Sequence, residues 1–234
     1  MVDTNEILLS SRRILVFSPH PDDAEIIAGG YLYRKASEEK SYVRLIVVTD
    51  GSKGYSKLKF KDIIRDIRKR EQEESAKRLG IEDVHFLDYV DLQTPPVEIL
   101  MEVFIRLVRQ YRPDLVITVD PTNRYEVHPD HINVGKAVMQ AVFFSNLQGV
   151  IEYVEALEKP PYLALGATDN PNSYVCLSDE EIYMKLESLR AHMSQFTEDK
   201  VQKILEMAKI TGKKYNCEYA EDFRVLTDSD MHLA

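Results

Sequence analysis

The sequence predicts a single α/β domain over residues 1–234, built on a doubly wound, mostly parallel sheet flanked by helices. Short β-branched runs alternate with longer amphipathic segments along the chain, the pattern of strand–helix–strand units. No internal repeat or low-complexity linker interrupts that alternation. A chain of 234 residues that is 44% hydrophobic is long enough for one sizeable core and too apolar for disorder.

The first strand is read at Arg13-Ile-Leu-Val-Phe-Ser18, followed by a helix over 24–38 with Asp22 or Asp23 as its cap. The second strand, Tyr42 to Thr49, stops at the turn-rich Asp50-Gly-Ser-Lys-Gly54. The longest helix is expected over 60–79, closed by Gly80 as a left-handed C′ residue. A third strand follows at 83–87, a helix at 97–111 and a fourth strand at Leu115-Val-Ile-Thr-Val119. Another helix is expected over 132–144. Residues 145–175 are less regular, with Pro160, Pro161 and Pro171, and hold further strands near 162–165 and 173–177. A last helix runs from about Asp179 to Thr211. Right-handed crossovers lead to strand order 3-2-1-4-5, with a ligand crevice where strands 1 and 4 part.

Composition excludes several classes. The net charge is −9 and no long basic block exists, so a nucleic-acid partner is not expected. The stretch from Lys53 to Arg70 is interleaved with Asp62 and Asp66 and reads as a solvated loop and helix face. Apolar runs are short and broken by charge, so no membrane partner is expected. The two cysteines, Cys176 and Cys217, allow one disulfide but form neither a metal-type pair nor a framework. Such sparse thiols, with no signal-type N-terminus, lead to a cytoplasmic expectation.

Two segments carry chemistry. Ser18-Pro-His-Pro-Asp-Asp-Ala-Glu25 directly follows the first strand. His20 and Asp23 lie three apart across a proline-stiffened turn and can face one point; imidazole and carboxylate are both zinc ligands. Acids at this place also decorate ordinary helix starts. His128-Pro-Asp-His131 follows the fourth strand, and alone it reads equally well as a helix start with Pro129 in the first turn and Asp130 on the helix dipole. Together the two segments hold three of the six histidines and sit at the ends of the strands flanking the predicted crevice. Arg70-Glu-Gln-Glu73 looks like a charged helix face. Asp50 to Gly54 has neither a phosphate loop nor a dinucleotide fingerprint. His85, His192 and His232 are read as structural or surface residues.

At these residues the sequence resembles the PIG-L/LmbE-like family of zinc deacetylases. The matching segments are His20-Pro-Asp-Asp23 with Ala24-Glu25, Thr49-Asp-Gly51 with Gly54, and Arg70-Glu-x-Glu73 with Ala76 and Leu79-Gly80. Asp91 after Phe86-Leu87, His128-Pro-Asp-His131, His192-Met-Ser-Gln195 and Tyr219-Ala-Glu-x-Phe223 extend the likeness over nearly the whole chain. The resemblance implies a Rossmann-like fold and hydrolysis of the acetyl group from an N-acetylglucosamine-type sugar or conjugate. It implies Zn2+ held by His20, Asp23 and His131, with Asp22 as general base. His128 would stabilise the oxyanion or protonate the leaving amine, and Arg70 and Asp91 would meet sugar hydroxyls. It also implies a homo-oligomer, a trimer or hexamer. Residues 145–175 carry no segment that the resemblance places, and substrate choice is expected to reside there.

The chemistry agrees with the residue types. Zinc acts as a Lewis acid and lowers the pKa of a bound water from 15.7 toward ~7. Asp22, flanked by two ligands, is placed to take a proton, and His128 lies one turn from His131. Other readings are an amidase for another small N-acyl conjugate, a nucleotide-binding enzyme and a non-catalytic metal scaffold. Two acids stand after the first strand where a pyrophosphate needs glycines, which weighs against the nucleotide reading.

Overall fold

The computed structural model describes residues 3–231. In chain order the regular elements are α1 (Thr4–Ser10), β1 (Arg13–Ser18), α2 (Asp23–Tyr33), β2 (Tyr42–Thr49), α3 (Ile64–Arg78), β3 (Asp83–Tyr89), α4 (Val97–Tyr111) and β4 (Leu115–Val119). Then come α5 (Pro129–Phe144), β5 (Tyr162–Gly166), β6 (Ser173–Leu177), α6 (Asp179–Ala191), α7 (Glu198–Lys214), β7 (Tyr219–Leu226) and α8 (Asp228–Met231).

The strands form a seven-stranded sheet in the order β3-β2-β1-β4-β5-β7-β6. The first five are parallel and keep the expected order 3-2-1-4-5; β7 joins antiparallel to both β5 and β6. Successive strand residues point to opposite faces, and both faces are covered. Ile14, Val16, Leu45 and Val47 belong to the core under α2, α6 and α7. Leu15, Phe17, Ile46 and Val48 belong to the core under α4 and α5. No helix among the described residues is long and apolar enough to cross a membrane.

Several expected boundaries move. The helix expected over 60–79 starts later, at Ile64, after a 3₁₀ turn at Leu58–Phe60, and Gly80 has the left-handed φ of 77°. The helix expected from Ile132 starts at Pro129 with His128 as its cap residue. The helix after β1 is broken at Ala28, ends at Tyr33 and continues as a wide π turn over Arg34–Glu38. The single helix expected over 179–211 is two, α6 and α7. They divide where Ser194 donates its N–H and hydroxyl to Glu71, 2.8 and 2.6 Å away, and where Thr197-Glu198-Asp199 opens a new first turn. Strand β7 was not expected. Its charged Glu221 faces inward and is buried, which disguises the alternation.

Cys176 in β6 and Cys217 before β7 are joined as a disulfide with Cα atoms 5.7 Å apart, in place of the two sparse thiols read from sequence. The 145–161 segment also departs from expectation. The buried Arg109 guanidinium donates to the carbonyls of Ser145, Leu147, Ile151 and Val154 at 2.6–3.0 Å. Arg109 lies in the last turn of α4, and Tyr162 N–H bonds Asp114 O just before β4 begins. This segment therefore packs at the edge where the strands start, opposite the crevice, and only the turn after Gly166 returns to the crevice side.

Candidate active site

The site forms where β1 and β4 end side by side. Ser18 Oγ closes the first loop by donating to His20 O at 2.7 Å and accepting Ala24 N–H at 3.1 Å. Asp22 then takes a φ of 113°, a left-handed conformation rare for a non-glycine residue. Its N–H donates to Gln72 Oε1 at 3.0 Å, and Gln72 Nε2 donates to the buried Glu25 at 2.6 Å. Neither acid caps α2 in the usual way. Asp22 gives no side-chain cap bond and meets Arg68 Nη2 at 3.1 Å; Asp23 turns back to accept His20 N–H at 2.8 Å.

Asp23 Oδ2 is the meeting point of two histidines. It lies 3.0 Å from His20 Nδ1 and 3.3 Å from His131 Nε2. The other His20 nitrogen, Nε2, lies 3.2 Å from Asp130 Oδ2 and 3.5 Å from Asp91 Oδ1. Asp130 is held in place by Leu92 N–H at 2.8 Å and Thr94 Oγ1 at 2.9 Å. The His128 ring stands edge-on to His20 with centroids 4.5 Å apart, and 4.9 Å from His131. Donor atoms of His20, His128 and His131 lie within 4.8 Å of one another, as do those of His20, Asp91, His128 and Asp130.

The loops after β2 and β3 close the other side. Asp50 Oδ1 accepts the N–H groups of Ser52 and Asp91 at 3.0 and 3.1 Å, and Asp91 Oδ2 accepts Lys53 N–H at 3.1 Å. Arg68 ties this side to the first loop, bonding Pro21 O at 2.6 Å and Gly51 O at 3.2 Å. Together they frame a cavity of about 260 Å³ lined by His20, Asp22, Lys53, Arg68, Asp91 and His128. A larger hollow beside α3, of about 590 Å³ and lined by Lys69, Glu73 and Phe86, carries no histidine.

The charges in the site are unbalanced. Burial opposes a charge on His20, yet Asp130, Asp23 and Asp91 push it up to about 12. Burial also works against the Asp23 carboxylate, but His131 and His20 hold it well below the usual range. Burial pushes Asp22 up to about 6 against the pull of Arg68. His128 is lowered by burial and by the neighbouring His20 and His131. Three carboxylates crowding one buried imidazole call for positive charge at that point. A divalent cation answers the same need and leaves His20 and His131 free as neutral donors. Two imidazoles and one carboxylate are a zinc-type donor set, one that iron, cobalt and manganese also accept.

His20, Asp22, Asp23, Asp91, His128 and His131 thus converge. Arg70 does not join them. It is exposed, because two residues of helix turn it about 200° away from Arg68. Sequence reading missed Arg68, Gln72 and Glu126. A signal for the first two existed, since Ile64, Arg68, Glu71, Gln72, Ser75, Ala76 and Leu79 recur at helical spacing and are all buried. Of the remaining histidines, His85 is exposed beside Asp83, His192 is fully buried beside Glu25, and His232 lies outside the described residues.

Residues 15–142 match the PIG-L family, described as GlcNAc-PI de-N-acetylase. The diacetylchitobiose deacetylase of Thermococcus kodakarensis is 31% identical over 239 residues, covering 98% of this chain and 88% of that protein. A probable N-acetyl-alpha-D-glucosaminyl L-malate deacetylase 2 of Bacillus cereus is 30% identical, covering 79% of this chain and 84% of its own length. Among solved structures, the N,N'-diacetylchitobiose deacetylase from Pyrococcus horikoshii superposes with a TM-score of 0.92 at 29% identity, covering 99% of this chain and 90% of that one.

Proposed function

The chain belongs to the PIG-L family of de-N-acetylases, and from that premise we propose that it works at a divalent metal centre, zinc by preference, held by His20, Asp23 and His131. It is an N-deacetylase, a hydrolase of the amide bond in N-acetylglucosamine-type substrates. Two relatives that share nearly its full length are named for diacetylchitobiose, which makes this disaccharide the first substrate to try.

One observation carries the reading of the centre: Asp23 Oδ2 lies 3.0 and 3.3 Å from ring nitrogens of His20 and His131, and Asp22, next in the chain, lines the adjoining cavity together with His20. A metal ion held by His20, Asp23 and His131 would supply Lewis acidity and make water easier to deprotonate. Asp22 takes the proton from the water that attacks the acetamide carbonyl. Arg68 and Gln72 hold Asp22 in its left-handed conformation, so its carboxylate faces the cavity without rearrangement. His128 hydrogen-bonds the oxygen on which negative charge develops, a contribution of ~3 kcal/mol per donor. When the C–N bond breaks, the proton passes to the leaving nitrogen, giving acetate and a free amino sugar. Asp91, with Arg68 in the place sequence reading gave to Arg70, meets the sugar hydroxyls.

The test is acetate release from N-acetylglucosamine, its dimer and its glycosides, before and after chelation. Release from the dimer, lost with chelator and restored by zinc, is the expected result. No acetate from any N-acetylated sugar in the zinc-loaded protein overturns the reading. The homo-oligomer, trimer or hexamer, belongs to the same proposal and is checked by light scattering.

A further inference from the structure

We propose that Glu126 is a positioning residue for the metal centre, holding the His131 ring so that Nε2, and not Nδ1, faces the point shared with Asp23. The inference rests on the reading of His131 as a ligand.

Glu126 lies in the loop between β4 and α5 and is half-buried. Its N–H bonds Asn123 O at 3.0 Å, which fixes the loop just before the His128 segment. Its two carboxylate oxygens then serve two partners. Oε1 accepts His128 N–H at 2.7 Å, and Oε2 lies 2.8 Å from His131 Nδ1. An ionised carboxylate only accepts, so Nδ1 is the N–H donor of that pair. Nδ1 is thereby withdrawn from ligation and Nε2, 3.3 Å from Asp23 Oδ2, is the nitrogen turned to the centre. A carboxylate on the far nitrogen also makes an imidazole a stronger donor and fixes its ring plane. The same side chain anchors the backbone of His128, so both histidines of the second segment take their positions from Glu126. Nothing in the spacing of the motif announces this, because Glu126 precedes the segment and reaches it only through the fold of the loop.

The experiment measures zinc affinity by competition with a chromophoric chelator for the parent protein and for Glu126→Ala, Glu126→Gln and His131→Ala. It adds the 15N shifts of the His131 ring in the zinc-loaded proteins. Glu126→Ala is expected to bind zinc about 10- to 100-fold more weakly. The hydrogen-bonded Nδ1–H signal of the parent should be lost in that variant. Glu126→Gln should weaken zinc several-fold, since the amide sets its NH2 against one of the two N–H donors that the two carboxylate oxygens serve; where Glu126→Ala does not fold, Glu126→Gln decides alone. A loop anchor with no bearing on the metal would lower the melting temperature of metal-free and loaded protein alike and leave the affinity unmoved. Zinc affinity within twofold of the parent in both Glu126 variants, with zinc lost in His131→Ala, overturns the inference and leaves the ligand reading standing. Unchanged zinc affinity in His131→Ala overturns the ligand reading itself.

Discussion

Lys185 Nζ lies 2.6 Å from Glu221 Oε1 inside a break in α2, and both charged groups bond to backbone that the break sets free. Ala28 leaves the helical region at φ −147°, ψ 15°. Lys185 donates to the carbonyl of Ile26 at 2.8 Å, while Glu221 accepts the N–H groups of Gly30 and Tyr31 at 3.0 and 2.8 Å. Gly29 admits the lysine stem, since a Cβ there would stand 2.9 Å from Lys185 Cγ. The pair thus splices the helix that begins at Asp23, directly after Asp22.

Removing one partner leaves the other charge buried and α2 short of backbone bonds. Lys185→Met is expected to destabilise the protein by about 3–5 kcal/mol, and Glu221→Gln by less, because an amide still meets part of the network. Urea denaturation measures both. A loss below about 1 kcal/mol for Lys185→Met would show that α2 holds its break without the pair.

The role of Asp22 makes a separable prediction. Asp22→Asn retains the size of the side chain and leaves His20, Asp23 and His131 in place. It should keep its zinc and lose about 10²- to 10⁴-fold in kcat, the usual range for a general base. Metal analysis and steady-state kinetics on the same preparation check this. A zinc-loaded Asp22→Asn protein with full activity rules out the base assignment.

Arg68 and Arg70 offer a paired comparison on one helix. Arg68→Ala removes the bonds to Pro21, Gly51 and Asp22. A hydrogen bond to a charged group is worth about 1.5–3 kcal/mol, so kcat/KM for the disaccharide should fall roughly 10- to 100-fold. Arg70→Ala, altering an exposed side chain, should stay within about twofold of the parent. A large loss in Arg70→Ala alone would place the sugar on the other face of α3.

That pair also shows where sequence reading stops. Elements with one strong local signal fall on the expected residues: α4 at 97–111, β4 at 115–119 and β6 at 173–177. The two histidine segments were legible because their residue types are scarce and their strands adjacent. Glu221 hid β7, since a charge facing the core looks like a charge facing water until Lys185 is placed beside it. The roles of Gln72 and Glu126 were hidden for a related reason, although Gln72 shares the helical spacing of the buried face of α3. Each acts on a residue brought to it by the fold, Asp22 from 50 positions away and His131 from across a loop. The segment at 145–161 is irregular in sequence because its order comes from Arg109, a residue of another element that binds four of its carbonyls.

The Cys176–Cys217 bond closes a loop of sequence separation 41 that contains all of α6 and α7. A crosslink across that many residues restricts the unfolded chain by about 4 kcal/mol on loop-closure grounds. In a chain of this length each kcal/mol moves the melting temperature by about 2–4 °C, so dithiothreitol should lower it by roughly 8–16 °C. Cys217→Ser should melt at the reduced parent's temperature and show no response to dithiothreitol. Acetate release at moderate temperature should be the same in both, because the bond joins β6 to the turn before β7, at the sheet edge farthest from β3 and two strands beyond β5. If the parent melts at the same temperature with and without reductant, the bond contributes nothing to stability. If reduction instead abolishes activity well below the melting transition, the α6–α7 layer holds the Glu71–Ser194 contact, and through it α3, in register with the site.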